Sequence, residues 1–317
     1  MISTQRTRIL DSAGDYVGML VVLGVLVAVF GLKAANFLTP TNLRTIANQV
    51  PAAVVVASGM TFVLIVGGID LSVGSVVGLC GAVLGVSMVR FDLPLGAAVA
   101  LCLAAGAACG TVNGLVSTRW RIPSFIVTLG MLEIARGAAY LITNSQTQYI
   151  GSSVEVIANA GVGGLSLPFA VAIAAVAAGQ LVLARTVFGR HAIAVGANEE
   201  AARLSGVRVS RVKATVFALC GLLAAVAAVI DTSRLASADP NAGTGFELQA
   251  IAAVVIGGTS LMGGRGSVVS SFFGVLIIAV LGNGLAQIGA QEPTKRLITG
   301  CVIVAAVVLD RLRHRKA

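Results

Sequence analysis

Long apolar runs recur along the whole chain, each close to the roughly 20 residues an α-helix needs to cross a bilayer. Ten such segments are predicted, at 16–34, 50–67, 71–89, 94–117, 124–143, 167–184, 213–230, 247–262, 267–286 and 296–310. In hydrocarbon every backbone polar group must be satisfied within the protein, so a spanning segment is either helical or part of a closed barrel. The runs are continuous, without the ten-residue alternation of barrel strands, which argues against a barrel. Composition agrees. Charged residues make up 11% of the chain, against about 25% in soluble domains, and the mean hydropathy is +0.96. The expected fold class is an all-α polytopic membrane protein of about ten transmembrane helices, forming a single transmembrane domain over residues 1–317.

The first segment is read as a retained helix. Arg6 and Arg8 precede an apolar stretch from Tyr16 to Leu32. That stretch exceeds the roughly 7–15 residues of a signal-peptide core, and no small-x-small cleavage pattern follows it. Ten spans put both termini on one side, and the basic residues choose the side. With the N-terminus, residues 118–123, 185–213, 263–266 and the C-terminus in the cytoplasm, that side holds 15 of the 22 Lys and Arg residues, and the other side holds six. The expected topology is N-in and C-in, with cytoplasmic tails at 1–15 and 311–317. The net charge of +9 follows from this bias, so no nucleic-acid partner is expected.

Residues that carry chemistry are few. The five cysteines, Cys80, Cys102, Cys109, Cys220 and Cys301, lie in apolar runs without CxxC spacing and read as small packing residues. His191 and His314 have no ligand-spaced partners, so no metal is assigned. No serine or threonine has a nearby base, so no catalytic set is expected and the chain is not read as an enzyme. None of the four lysines follows a glycine, so the G-x-x-x-x-G-K-[ST] phosphate loop is missing. Energy would have to come from another chain.

Small residues mark close approaches. Gly74, Gly78, Gly81 and Gly85 fall on one helix face, and Gly106, Gly110 and Gly114 recur every four residues. Such faces bring backbones together in lipid, where no hydrophobic drive exists between helices; a backbone-lined gap for solute is the other reading. "VGGIDLSVGSVVG" (66–78) resembles "IGGTSLMGGRGSVVS" (256–270), either as a repeat of the kind transporters carry or as a coincidence among 38 glycines.

Charges inside the segments carry two readings each. Glu133 and Arg136 stand one turn apart in the fifth segment. They form a buried ion pair or line the solute path, since intramembrane charges face a bundle interior or a wet cavity. Asp70 is placed to cap the third segment through the Ser72 and Val73 amides, or to gate the inner mouth. Asn113 is a helix–helix hydrogen bond or a gate.

The polar island "GANEEAARLSG" (196–206) stands apart. Asn198 suits an N-cap. Glu199 and Glu200 suit the first turn. Arg203 is spaced to pair with Glu199, and Gly206 suits the left-handed C′ position. The result is a helix of about seven residues, too short to persist alone because isolated helices below about 12–15 residues are marginal. It either lies on the protein's own surface or is a docking knob for a cytosolic partner.

"GRHAIAVGANEEAARLSGVRVSRVK" (189–213) resembles the coupling-helix loop of permease subunits from ribose-type ATP-binding-cassette (ABC) importers. "GGIDLSVGSVVGL" (67–79), "NGL" (113–115 and 283–285), "IPSFIVTLGMLEIARG" (122–137) and "AGTGFELQAIAAVVIGGTSLMGGRGSVV" (242–269) are similar to that family in the same order. Ser124 stands where the family often has Pro. The resemblance implies a multi-pass permease of the bacterial inner membrane that passes a monosaccharide by alternating access; a nucleoside or branched-chain amino acid is the alternative solute, and an ion-coupled secondary transporter the alternative class. It also implies a coupling loop at 185–213 whose Gly196, Asn198, Glu199, Glu200, Arg203, Leu204 and Gly206 dock an ATPase; the candidates for a path or gate, Asp70, Ser72, Asn113, Glu133 and Arg136, come from the residues themselves. The implied partners are cytosolic ABC ATPase subunits, an extracytoplasmic sugar-binding protein and a second permease copy. No cofactor is expected on this chain; ATP and Mg would sit on the ATPase subunits.

Overall fold

The structure is a computed structural model and describes residues 2–162 and 165–314. It is almost wholly helical. In chain order the helices are α1 (Ile2–Lys33), α2 (Pro40–Gln49), α3 (Pro51–Ile65), α4 (Val73–Val89), α5 (Leu95–Trp120), α6 (Ser124–Thr143), α7 (Ser152–Asn159), α8 (Leu167–Arg185), α9 (Val187–Ala197), α10 (Glu199–Leu204), α11 (Val209–Leu235), α12 (Phe246–Ile256), α13 (Val268–Gln287) and α14 (Glu292–His314). Four two-residue strands form two antiparallel pairs; β1 (Gln148–Tyr149) pairs with β4 (Ser237–Ala238), and β2 (Gly161–Val162) with β3 (Leu165–Ser166).

Each of the ten predicted segments coincides with a helix, but the helices differ in reach. Six are long and apolar enough to cross a membrane alone, and the bent pair α2–α3, with a 42° break, makes up to seven. α4 and α12 are shorter. α12 ends at Ile256, where the segment was expected to continue to 262, because Gly257 and Gly258 stop it and Gly258 takes a φ of +82°. Its 11 residues span about 16 Å at 1.5 Å per residue, roughly half of a hydrocarbon core of about 30 Å. The expected N-terminal tail 1–15 is instead continuous with α1, whose helix starts at Ile2. In the expected C-terminal tail, α14 continues to His314 and residues 315–317 lie outside the described residues.

α3 and α11 form the centre. Nearly every residue of α3 is buried, and α11 packs against α3, α4 and α5. Close approach explains this. A Cβ on Gly106 would strike the Gly221 carbonyl, on Gly110 the Phe217 carbonyl, and on Gly114 the backbone of Ala214. The α5 glycines therefore set α5 against α11, as small faces do in membranes. The α4 glycines have another neighbour. Gly74 and Gly78 face the irregular segment after β4, at Gly243 and Ala242. That segment descends from the strand pair into the bundle and ends at the start of half-helix α12. Non-helical backbone at such depth is tolerated where protein buries it.

The loops sort to two ends. At one end the Gly264 amide donates to the Ile65 carbonyl at 2.9 Å, Gly196 abuts both residues, and Tyr16 bonds Ser267 at 3.1 Å. The two similar Gly-Gly turns, after α3 and after α12, thus meet there. At the other end lie the β1–β4 pair and Arg90, which donates to the Ile142 carbonyl at 2.9 Å. The Gly196 part of the 185–213 loop and the 263–266 turn, both expected in the cytoplasm, share an end.

Candidate functional site

α10 stands at the end of the molecule where the two Gly-Gly turns meet. The Asn198 side chain accepts from the Ala201 amide at 2.9 Å, which caps the helix, and Gly206 follows it with φ +84°. Both features match the sequence expectation. The pairing does not. Arg203 bonds Glu200, at 2.6 and 2.8 Å, and Glu199 instead meets Lys213 of α11 at 2.5 Å. The i,i+3 spacing wins because Lys213 already draws Glu199 sideways toward α11. Glu200 holds the Arg203 guanidinium above its ordinary range.

The six-residue helix is therefore held from below. Ala202 is buried against the neighbouring helices, while Leu204 is 79% exposed. Glu199, Glu200 and Arg203 are more than half exposed. Gly196 takes a different part. It lies on α9, and its lack of a side chain lets α9 rest on the Ile65 carbonyl.

Beside α10 lies a cavity of about 590 Å³. Gly67, Gly68 and Ile69 form one wall, the α5–α6 turn with Arg121 and Ser124 another, and Glu199, Lys213 and Phe217 a third. Behind the Gly67–Ile69 wall are Asp70, Ser72 and Asn113, all 1% exposed. The structure brings these three together. Asp70 Oδ1 accepts from the Ser72 amide at 2.9 Å and from the Ser72 hydroxyl at 2.6 Å. Asn113 Nδ2 donates to Ser72 Oγ at 2.9 Å. Asp70 caps only in part: it takes the Ser72 amide, and Ser72 itself occupies the N-cap position of α4 without a side-chain cap bond.

Sequence reasoning missed the residues that hold this turn. The Ile69 amide donates to Ser124 Oγ at 3.0 Å, and the Leu71 amide to Thr128 Oγ1 at 3.1 Å. Two hydroxyls one turn apart on an apolar helix were the available signal. Ser124 is also the position noted as departing from the resembled family, and a proline there would supply no such acceptor.

Glu133 and Arg136 are not brought together. Arg136 Nη1 donates to the carbonyls of Pro240 and Ala242 at 2.5 and 2.9 Å, in the segment that descends into the bundle. Glu133, one turn before Arg136, is exposed and has no ion-pair partner among the described residues. The expected ion pair is thus corrected. Fixed carbonyls in a packed loop need a donor, and Arg136 is the donor within reach.

A family model described as "Branched-chain amino acid transport system / permease component" matches residues 42–307. The ribose import permease protein RbsC of Escherichia coli strain K12 is 42% identical over 300 residues, covering 93% of this chain and 93% of that protein. RbsC of Bacillus subtilis strain 168 is 38% identical over 317 residues, covering 98% and 97%. The L-arabinose ABC transporter permease protein AraH of Azospirillum brasilense is 36% identical over 302 residues, covering 94% and 88%. No solved structure matches the chain significantly.

Proposed function

The chain belongs to the permease-component family of ABC transport systems, as a multi-pass subunit of the inner membrane, and on that premise we propose that it imports a ribose-like monosaccharide, driven by ATPase subunits that grip α10. The observation that carries this reading is the near full-length likeness to ribose and arabinose permeases, together with an α10 whose Leu204 is bare. The family model's description names branched-chain amino acids, but the most similar proteins quoted are sugar permeases. A sugar needs no charged pore residues, and intramembrane charge is scarce here.

The topology is ten crossings, N-in and C-in, within one domain over residues 1–317. The gathering of the 118–123, 196–213 and 263–266 segments at one end supports this side assignment, because together they hold Arg119, Arg121, Arg203, Arg208, Arg211, Lys213 and Arg265. The tails at both ends and the 185–213 coupling loop then face the cytosol. ATP and Mg sit on the ATPase subunits, not on this chain.

The geometry suggests how α10 reaches the membrane. Glu199 ties α10 to Lys213 at the start of α11. One turn further, Phe217 of α11 packs on Gly68, and Cys220 lies against Gly59 of α3. A displacement of α10 therefore acts on the α3–α4 turn through one rigid helix, a contiguous chain of contacts of the kind that carries coupling. ATP works by favouring one arrangement of these contacts over the other. Asn198, Glu200, Arg203, Leu204 and Gly206 form the gripped surface, and Gly196 seats it.

The exposed face of α6 carries Glu133 between Gly130 and Gly137, neither of which has a neighbour within 4 Å of its Cβ position. A charge in lipid is costly, so this face meets a second copy of the chain or the water-filled path between copies. Asp70, Ser72 and Asn113 form the inner gate, and Arg136 holds the descending loop that borders the path. An extracytoplasmic sugar-binding protein delivers the solute to the opposite end.

The test is reconstitution with a cytosolic ABC ATPase and an extracytoplasmic sugar-binding protein from the same organism. ATP-dependent ribose uptake that is lost in Glu200→Lys, with membrane insertion intact, supports the reading. Uptake that follows an imposed ion gradient and ignores ATP refutes it.

A further inference from the structure

The inner gate contains more acceptors than donors. Asp70 is buried, and none of the five ion pairs among the described residues includes it. Its donors are the Ser72 amide and the Ser72 hydroxyl. Asn113, equally buried, spends its amide on Ser72 Oγ and leaves its carbonyl Oδ1 without a partner. The amide cannot be turned round to help, because the Ser72 hydroxyl hydrogen already points to Asp70 and Ser72 Oγ must accept.

Two faults therefore stand side by side: a buried carboxylate without a counter-charge and a buried carbonyl without a donor. Each is costly. One hydrogen removes both. We propose that Asp70 is a proton-binding site, occupied while the α3–α4 turn is closed, whose O–H donates to Asn113 Oδ1. The proton comes from water in the cavity beside α10, whose lining includes Phe217 and Gly67, Gly68 and Ile69, the residues that precede Asp70. An O–H bond forms on the carboxylate when the turn closes and breaks, returning the proton to that water, when the turn opens.

The surroundings leave Asp70 as the group that titrates. Cys109 of α5 and Cys220 of α11 interact with it electrostatically, α6 offers the hydroxyls of Ser124 and Thr128 to the same turn, and α4 offers Ser72. The sign follows. The closed turn binds the proton, so acidity on the cavity side favours closure and slows opening.

The direct test is infrared difference spectroscopy of the purified chain at neutral pH, which is independent of the proposed transport activity. Wild type is expected to show a hydrogen-bonded carboxylic-acid band that Asp70→Asn removes. Asn113→Leu is expected to keep the band but shift it to the position of an acid without an acceptor. A wild-type spectrum identical to that of Asp70→Asn overturns the site, and an unshifted band in Asn113→Leu overturns Asn113 as the acceptor. The second arm rests on the proposed function. Asp70→Asn, whose amide can still donate to Asn113, loses the dependence of uptake on cavity-side pH and is impaired less than Asp70→Ala, which falls roughly tenfold or more, as expected for an unsatisfied buried group. Equal loss in both variants contradicts the protonated state even if uptake by wild type is established.

Discussion

α10 and the middle of α6 each carry an acid and an arginine at helical spacing; an internal ion pair was expected in the first and was one of two readings for the second. At α10 a pair forms, with Glu200 in place of Glu199. In α6 no pair forms: Arg136 turns inward to two carbonyls and Glu133 faces outward. The difference is one of solvent. On a wet end, charges exchange partners for little free energy, so a neighbouring Lys213 is enough to change the pairing. Within the bilayer the descending 239–245 backbone has carbonyls that nothing else satisfies, and the obligation to satisfy them outranks attraction to a nearby acid.

That contrast can be broken most forcefully at Arg136. Arg136→Ala leaves the Pro240 and Ala242 carbonyls without their donor, and the chain in detergent should lose about 3 kcal/mol of stability by thermal or denaturant unfolding. The Glu133→Gln, Arg136→Gln double variant should be no milder than Arg136→Gln alone. A rescue in the double would restore the ion pair that the geometry denies. Smaller effects are expected at the wet end. Glu199→Gln removes the tie to Lys213, a partly exposed pair, and should cost about 0.5 kcal/mol. Arg203→Gln should leave the unfolding midpoint unchanged, in low salt and in high; a clear fall would mean that this exposed pair holds α10 in place.

Legibility followed the same divide. Hydropathy located a helix at each of ten places, because a spanning stretch has few alternatives to helix. It could not say which helices are sheathed by protein. α3 and α6 are both apolar, yet α3 is buried along nearly its whole length and α6 buries only Thr128, Met131, Ala135, Ala139 and Thr143. Lipid and protein core look alike to a hydropathy scale. The local chemistry of α10 was readable, from the Asn198 cap to Gly206, since caps depend on adjacent residues. Contacts between distant segments were not: Lys213 with Glu199, Arg136 with Pro240, and Ser124 with Ile69 all depend on packing that spacing does not encode. The glycines of α5 read correctly as a helix seam, while those of α4 received a loop.

The central claim is that a separate ATPase moves the gate by holding α10, and Leu204 tests it most directly. ATP-driven ribose uptake should be measured in vesicles carrying the ATPase and binding protein, with wild type and Leu204→Asp compared at equal insertion. The account predicts that Leu204→Asp no longer retains the ATPase and no longer imports. Uptake by Leu204→Asp at the wild-type rate, with the ATPase still bound, would contradict it.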